Sequence, residues 1–452
     1  MNDTICAIST ALGVGAISIV RVSGEDSIKI VNKIFDTDLE AVKSHTINYG
    51  HIVENGKVID EVLVSVMKAP RTFTVEDVVE INTHGGIAPT NKILELLLSN
   101  GCRLAEPGEF TKRAFLNGRI DLLEAESVMD MINSKTEMQR NMAINGIDGK
   151  ASELINELRS DMVQIISNIN VNIDYPEYDD VEEITNNVMI PKITKLKEKI
   201  NKILKESENG KIIKEGIKTT IIGRPNVGKS SLLNELLSED KAIVTDIAGT
   251  TRDIVEDEIT INGILLNILD TAGIRKTSDK VESIGVEKSM KTIDEADLVL
   301  FMINNNEEIS EDIKEILEKI DNKKYLILIN KNDLDTKLDL EYLAKYKDKI
   351  VNLSIINHEG IEDLKRKIVE LFNMEELTTK DPTYLSNARS ISILKNCLGK
   401  VEEVEKSLEE DFPIDMIEMD IKNIWEELGK INGSTYEEEL LDEMFSRFCL
   451  GK

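Results

Sequence analysis

A phosphate-binding pattern is the strongest chemical signal in this sequence of 452 residues. Residues 223–230 read GRPNVGKS and match G-x-x-x-x-G-K-[ST], between an apolar run typical of a strand and the helical segment SLLNELL. Glycines in such a loop let backbone N–H groups face phosphate oxygens. Lys229 adds a positive charge and the Ser230 hydroxyl can bind magnesium. The pattern predicts a site for a nucleoside triphosphate.

Two later segments predict contacts to magnesium and to the γ-phosphate. Residues 246–253 read DIAGTTRD, and Thr251 in this loop suits a second magnesium contact. Residues 270–273 read DTAG at the end of an apolar run. There Asp270 can hold magnesium through water, and the Gly273 N–H can contact the γ-phosphate.

A fourth segment indicates which base is bound. Residues 330–333 read NKND, again at the end of an apolar run. The Asp333 carboxylate can accept both N–H donors of guanine, whereas adenine offers no such pair, so the predicted nucleotide is GTP. The predicted GTP contacts are Asn226, Val227, Gly228, Lys229, Ser230, Ser231, Thr245, Asp246, Ile247, Ala248, Gly249, Thr250, Thr251, Asp270, Thr271, Ala272, Gly273, Asn330, Lys331 and Asp333.

One catalytic group is missing from the usual place. Many GTPases carry a glutamine directly after D-x-x-G that orients the attacking water, and here that position is Ile274. An isoleucine can neither donate nor accept a hydrogen bond, so another group must align the water. Asp279 and Glu282 lie downstream, and from the residues alone both are as easily explained as solvated loop charges.

Composition limits the class of protein. Hydrophobic residues make up 41% and charged residues 31%, which is typical of a globular chain. The formal net charge of −29 disfavours wide contact with nucleic acid by this chain alone. No signal peptide or membrane span is recognisable, so we expect a cytoplasmic protein. The four cysteines, none at metal-ligand spacing, are Cys6, Cys102, Cys397 and Cys449.

The order of apolar patterns predicts a multidomain fold that combines α/β and all-α parts. Residues 1–117 are expected to form a mixed α/β domain, and 118–214 the first part of a helical domain. Residues 215–375 alternate strands and helices, which predicts an inserted, Ras-like P-loop domain with a parallel sheet. Residues 376–452 are expected to complete the helical domain.

Several elements are predicted individually. Short β-branched runs predict strands, and a helix is expected from Pro89 to Ser99. The predicted strands are 16–22, 61–67, 218–222, 265–269, 298–303, 325–329 and 351–355. Two apolar stripes are expected to face a core: Leu154, Leu158, Met162, Ile165 and Ile169 on one helix, and Ile193, Leu196, Ile200 and Ile203 on the next. The last helix has an apolar face suited to docking, formed by Leu440, Leu441, Met444, Phe445 and Phe448.

Over its whole length the chain resembles the MnmE (TrmE) family of tRNA-modification GTPases. The similarity rests on GRPNVGKSSLLN, TDIAGTTRD, DTAGIR and NKND, and on three strings elsewhere: IVRVSG (19–24), NGRIDLLEAE (117–126) and the terminal FCLGK (448–452). It implies a bacterial homodimer with an N-terminal tetrahydrofolate-binding domain, a split helical domain and an inserted GTPase domain.

The resemblance also implies a pathway and a partner. Members work with a flavin-dependent protein of the MnmG type, in a heterotetramer that carries FAD, uses NADH and provides most of the contact to tRNA. Together they install an aminomethyl-type group at C5 of the wobble uridine. The one-carbon unit comes from 5,10-methylenetetrahydrofolate or 5-formyltetrahydrofolate.

Site residues are implied by the positions that match family motifs. Asn226, with oxygens of Thr245, Ile247 and Thr250, would hold an activating potassium ion, while Ser230 and Thr251 would hold magnesium. Glu282 would orient the water, with Lys229 at the phosphates. The implied folate contacts are Arg21, Glu80, Arg119 and Lys452, and Cys449 is an implied catalytic thiol.

Three departures from the family pattern stand out. Arg119 replaces a common lysine, 354–356 (SII) replaces the usual S-A-K base loop, and 386–390 (SNARS) lacks a histidine. Two other functions stay open. One is a potassium-dependent ribosome-assembly GTPase, although the basic RNA-binding module of those proteins is missing. The other is a GTP-gated scaffold with little turnover.

Overall fold

The structure is a computed structural model that describes residues 3–174, 186–240, 257–269, 292–374, 385–410 and 412–451. It divides into two compact units. The first contains Met1–Met129, Ile147–Lys197 and Ile393–Lys452, and the second contains Asp130–Gly146 and Glu198–Ser392. Each unit is thus assembled from segments that are distant in sequence.

Strands and helices alternate with long helical stretches along the chain. The strands are β1 (Ile5–Ile8), β2 (Ile17–Ser23), β3 (Thr46–Glu54), β4 (Lys57–Met67), β5 (Val78–His84), β6 (Arg103–Leu104), β7 (Ile217–Gly223), β8 (Asp257–Ile261), β9 (Ile264–Ile268), β10 (Leu298–Asn304), β11 (Lys324–Asn330) and β12 (Ile350–Asn352). The helices are α1 (Ser27–Asn32), α2 (Ile87–Ser99), α3 (Glu109–Leu116), α4 (Leu122–Asn133), α5 (Glu137–Ile147), α6 (Lys150–Asp174), α7 (Asn186–Glu215), α8 (Lys229–Asp240), α9 (Glu311–Ile320), α10 (Leu340–Leu343), α11 (Ile361–Leu371), α12 (Ala388–Glu409), α13 (Ile414–Asn432) and α14 (Glu438–Ser446).

A six-stranded sheet with the order β3-β4-β5-β2-β1-β6 forms the N-terminal part of the first unit. Neighbouring strands are antiparallel except β1 and β6. Alternate residues of β4, Val62, Val64 and Val66, are buried in a core that also contains side chains of α1 and α2. This alternation is typical of a sheet with one face on a core. The register between β2 and β5 pairs Arg21 with Glu80.

Helix packing completes the first unit. α6 packs against α13 through a buried stripe at spacings of three and four residues. The predicted stripe began one residue too early: Leu154 is partly exposed and Ile155 is buried, because 155, 158, 162, 165 and 169 lie on one face. On α14 the buried residues are Leu441 and Phe445, and Phe448 is buried just beyond the helix.

The second unit is built on a six-stranded sheet with the order β12-β11-β10-β7-β9-β8. All its pairs are parallel except the β8–β9 hairpin. Every residue of β10 is buried, and its side chains alternate between two apolar clusters, with Leu300 in one and Phe301 in the other. A strand covered on both faces is typical of a parallel α/β sheet. The predicted combination of α/β and all-α parts is confirmed.

Most predicted strand ends differ from the structure by one residue, and β4 begins at Lys57, four residues before the predicted start. Two further differences have a clear physical reason. α2 begins at Ile87, not Pro89, because a proline in the first turn gives up an N–H that has no partner within the helix. The last strand ends at Asn352, not Ile355. Ser354 instead pairs with Glu359 in an isolated bridge, and its hydroxyl donates to Asp333. The apolar pattern runs on to Ile355, but the pairing of β12 with β11 stops at Asn352.

A buried arginine network fixes the start of α3. Arg113 is 2% exposed and forms ion pairs with Asp3 at 2.7 Å, Glu76 at 3.1 Å and Glu109 at 3.1 Å. Arg103 also pairs with Asp3 and Glu109, so removal of the Arg113 guanidinium would chiefly affect Glu76 and the buried side of Glu109, which are 17% and 5% exposed.

We expect Arg113→Met to lower the free energy of unfolding of the first unit by about 3–5 kcal/mol, the typical effect of breaking a buried ion pair. Urea denaturation followed by emission of Trp425, which lies in this unit, measures the change. Arg447→Met is the matched control, because Arg447, just after α14, is 74% exposed and among the described residues pairs with the similarly accessible Glu443. Equal effects of the two substitutions would contradict the role of Arg113.

Candidate functional site

The phosphate-binding loop connects β7 to α8, as the sequence predicts. Gly223 and Gly228 have left-handed backbone angles, with φ of 150° and 104°. A Cβ on Gly223 would clash with the Met302 carbonyl oxygen, so a larger residue cannot fit there. Asn226 also has a positive φ, of 60°, and its side chain is exposed. The loop therefore turns back over the end of the sheet and presents Asn226 at its surface.

Lys229 is held by the loop itself. Its Nζ donates to the Gly223 carbonyl at 2.7 Å and to the Arg224 carbonyl at 2.8 Å. Burial lowers the pKa of Lys229 from its ordinary value, because the charged form loses hydration. Phosphate oxygens in the loop would supply the missing negative charge and favour the ammonium form. The Lys229 side chain therefore already lies where it would contact the nucleotide phosphates.

The base-recognition segment lies on the neighbouring strand ends. Asn330, at the end of β11, is 5% exposed. Its Nδ2 donates to the Val227 carbonyl at 2.8 Å, and its Oδ1 accepts from the Ile355 N–H at 3.4 Å. Asn330 therefore links the phosphate loop to the loop after β12.

Asp333 is oriented by a residue that the sequence left in doubt. The Ser354 hydroxyl donates to Asp333 Oδ1 at 2.7 Å. The serine of the unusual SII string therefore positions the carboxylate that would read guanine. Ile356 is 80% exposed, so the isoleucine at the position of the usual lysine packs little against the protein.

A second cluster lies in the first unit, around Arg21 on β2. Arg21 Nε donates to Glu80 at 2.8 Å, and its Nη1 donates to the Gly451 carbonyl at 3.1 Å. The guanidinium lies 5.7 Å from the centroid of the Phe110 ring. The structure thus brings Arg21 and Glu80 together with the C-terminal tail.

The tail docks on the N-terminal part of the same chain. The Cys449 carbonyl accepts from the Gly108 N–H at 3.2 Å, and the Gly451 carbonyl also accepts from Ser9 Oγ at 3.2 Å. Gly451 has φ of 85°, and a Cβ there would clash with the Ile8 carbonyl oxygen. Only glycine therefore fits at this close approach.

Aromatic packing supports this docking. Phe445 and Phe448 lie 5.1 Å apart between ring centroids, and Phe445 lies 6.4 Å from Phe115 of α3. Rings at these separations attract each other beyond the area that they bury. The last helix therefore has an apolar anchor on the helix that follows the sheet.

Arg119 lies next to the same cluster but on a different ring. Its Nη1 donates to the Phe73 carbonyl at 3.0 Å, and its guanidinium lies 4.8 Å from the Phe73 centroid. Phe73 packs against the small core that contains Phe110. Sequence reasoning missed both phenylalanines, because no local pattern shows which rings lie under a distant arginine.

Other predicted site residues lie outside the described residues and receive no structural account. They are Thr245, Asp246, Ile247, Ala248, Gly249, Thr250, Thr251, Asp270, Thr271, Ala272, Gly273, Glu282 and Lys452. Cys449 is described, and its side chain is exposed. In the described part of the chain, no helix is long and apolar enough to cross a membrane.

Comparison with known proteins covers the whole chain. The family model of the MnmE helical domain matches residues 122–449, and that of the TrmE N-terminus, described as a GTP-binding protein, matches residues 4–119. The tRNA modification GTPase MnmE of Ligilactobacillus salivarius is 52% identical, with 100% of this chain and 98% of the relative aligned. The chain belongs to the MnmE family.

A further MnmE relative and a solved structure are similar. The tRNA modification GTPase MnmE of Bacillus cytotoxicus is 51% identical over 100% of this chain and 99% of its own length. The G domain of the FeoB iron transporter of T. maritima is 27% identical, covers 34% of this chain and 98% of its own, and has a TM-score of 0.26. As a member of the MnmE family, the chain is a GTP hydrolase with a P-loop GTPase domain.

We expect Asp333→Asn to weaken GTP binding and to favour xanthosine triphosphate. The amide that replaces the carboxylate can donate to the C2 carbonyl of xanthine, but it cannot accept both guanine N–H groups. Titration of the two nucleotides against both proteins measures the exchange. Unchanged GTP affinity without a gain for the xanthosine nucleotide would place the base elsewhere.

Proposed function

We propose that the chain is a potassium-activated GTP hydrolase that acts with a flavin-dependent partner on tRNA. The pair would install an aminomethyl-type group at C5 of the wobble uridine, with the carbon supplied by 5,10-methylenetetrahydrofolate or 5-formyltetrahydrofolate. The observation that carries the proposal is the docking of the C-terminal tail on Arg21 in a chain that also holds a P-loop. A GTPase alone would have no use for the first of these sites.

In the nucleotide site, two cations would flank the phosphates. Ser230 and Thr251 would hold magnesium, and the Asn226 side chain would hold potassium with oxygens from Thr245, Ile247 and Thr250. The exposed Asn226 side chain, on a left-handed loop residue beside the phosphate position, suits this task. A monovalent cation there would offset charge that develops in the transition state.

Water alignment would fall to Glu282. Ile274 replaces the usual glutamine and cannot orient a nucleophile. A carboxylate can accept a hydrogen bond from the attacking water and so fix its direction. Lys229, already enclosed by loop carbonyls, would transfer its hydrogen bonds to phosphate oxygens without a large movement.

In the folate site, Arg21, Glu80, Arg119 and Lys452 would bind a pterin ring and an anionic glutamate tail. Arg21 and Arg119 lie over two phenylalanine rings of one cluster, so a flat ligand would find both hydrogen-bonding groups and apolar walls. Cys449 would stand beside the one-carbon carrier as an exposed thiol.

Assembly would follow from the uncovered face of the N-terminal sheet. Ile47, Tyr49 and Leu63, on the adjacent strands β3 and β4, are 69%, 62% and 45% exposed. An apolar face of this kind suits a second copy of the chain, and hence a homodimer. An MnmG-type protein with FAD and NADH would complete a heterotetramer, and tRNA would be contacted mainly through that complex.

Two other functions make different predictions. A ribosome-assembly GTPase would need no folate site, so the clustering of Arg21, Glu80 and the tail disfavours it. A GTP-gated scaffold would need no ion site and would hydrolyse GTP slowly in any salt. Cation dependence therefore separates the proposed enzyme from the scaffold.

We expect GTP turnover to be much faster in potassium than in sodium, because the smaller sodium ion suits a different set of oxygen distances. Asn226→Ala should remove this difference and leave nucleotide affinity mostly intact. Steady-state turnover in matched chloride salts measures the effect. Asn332→Ala, in the base-recognition loop, is the control, since it changes no proposed ion ligand. Equal turnover of the unaltered protein in the two salts would overturn the potassium proposal.

A further inference from the structure

Arg159, on α6 in the first unit, has no counter-ion among the described residues. Its side chain is half-buried, and within the described part of the chain its buried Nε has no hydrogen-bond partner. Across residues 3–174, 186–240, 257–269, 292–374, 385–410 and 412–451, no carboxylate pairs with it. The chain has 84 acidic residues, so the absence of a partner is unexpected. Burial lowers the pKa of Arg159, because the charge loses hydration and gains no compensating partner.

The guanidinium is held in place by an aromatic ring. It lies 4.3 Å from the centroid of Trp425 on α13, the only tryptophan in the sequence. The Trp425 Nε1 is likewise buried, and no described residue accepts a hydrogen bond from it. Cation–π stacking stabilises the guanidinium but satisfies none of its N–H donors. The stack therefore orients an arginine whose terminal nitrogens stay available.

The surrounding helices are shaped to admit the guanidinium. A Cβ on Gly429 would lie 3.3 Å from Arg159 Nη2 and 2.6 Å from Thr435 Oγ1, so a side chain there would crowd both. Asn432 donates to Asn156 at 2.9 Å and thereby ties α13 to α6. This hydrogen bond links the two helices one turn of α6 before Arg159.

Two carboxylates of α13, the helix that carries Trp425, have other partners. Glu418 and Glu427, also on α13, already pair with Lys422 at 2.6 Å and with Lys430 at 2.9 Å. Each of these carboxylates therefore has a cation on its own helix. Helix packing alone is a poor explanation of the stack, because a leucine or methionine would fill the same space without a desolvated charge.

The N–H donors of Arg159 suit an oxyanion as the ligand. A guanidinium offers paired N–H donors that match two oxygens of one phosphate, and arginine is preferred in proteins for recognition of phosphate and nucleic acid. The family acts in tRNA modification, so tRNA, whose backbone carries such phosphates, is the ligand most directly linked to its activity. A net charge of −29 favours a single point of contact over a wide electrostatic surface.

We propose that Arg159, stacked on Trp425, binds one backbone phosphate of tRNA. The inference rests on the proposed role in tRNA modification and adds to it a contact that the chain makes directly, apart from the partner protein. Trp425 acts as a positioning residue, since its ring holds the guanidinium flat while the terminal nitrogens face the phosphate.

The test measures binding of fluorescently labelled tRNA to the full chain by anisotropy over a series of potassium chloride concentrations. We expect Arg159→Met to weaken binding by roughly tenfold or more, the effect of losing a charge-assisted contact. The slope of log affinity against log salt should fall by about 1, as expected for one phosphate. Arg159→Lys should restore part of the affinity, because lysine keeps the charge but not the paired donors. Trp425→Phe should keep most of it, because the ring still stacks.

Two controls separate this contact from general effects. Arg447→Met removes the same charge from an exposed, locally paired arginine and should leave binding nearly unchanged. Urea denaturation of Arg159→Met, followed by far-ultraviolet circular dichroism, should match that of the unaltered chain, which shows that the first unit is folded. Potassium-stimulated GTP turnover, which belongs to the second unit, should also be unchanged, so that the proposed hydrolase stands.

Three results would overturn the inference and leave the proposed function intact. One is tRNA affinity of Arg159→Met equal to that of the unaltered chain. Another is an equal loss in Arg447→Met, which would indicate bulk charge. The third is absence of tRNA binding at low salt together with binding of polyglutamate that Arg159→Met abolishes, which would assign the stack to an acidic protein partner.

Discussion

The Gly451 carbonyl is the point at which the two ends of the chain meet, and the geometry of the first unit depends on it. Two donors from the N-terminal sheet region, Arg21 and Ser9, bind this one oxygen. The approach is possible because Gly451 has no side chain and adopts a left-handed conformation. Since Arg21 also pairs with Glu80 across the β2–β5 register, the tail, the sheet and the proposed folate groups share a single guanidinium. A change at any one of them alters the hydrogen bonds of the others.

In the nucleotide site, too, main-chain oxygens hold polar side chains in place. Backbone carbonyls of Gly223 and Arg224 hold Lys229, and the Asn330 amide holds the Val227 carbonyl. In both sites a polar side chain is fixed by main-chain oxygens, which costs little rearrangement when a ligand takes their place. The described residues of the proposed folate site all lie in the first unit, and those of the nucleotide site all lie in the second.

Local chemistry was predictable and long-range packing was not. The P-loop and the NKND segment follow from residue types at fixed spacing, since Gly223, Lys229 and Asp333 act within a few residues of the backbone they serve. The phenylalanines under Arg21 and Arg119, and the stack of Arg159 on Trp425, join residues that no local period connects. The end of β12 was missed for the same reason, because Ser354 leaves the ladder to bind Asp333, which precedes it by a whole strand. The docking of the last helix was expected from its apolar face together with the family resemblance, and Phe445 and Phe448 provide it.

We propose that docking of the C-terminal tail serves tRNA modification and not GTP hydrolysis. A chain that ends at Phe448 lacks the Gly451 carbonyl and Cys449 but keeps the aromatic anchor of the last helix. Nucleoside analysis of tRNA from cells that express only this shortened chain, together with GTP turnover of the purified protein in potassium, tests the claim directly. The account predicts loss of the C5 modification on wobble uridine and undiminished, potassium-stimulated turnover. Preserved modification alongside lost turnover would contradict it.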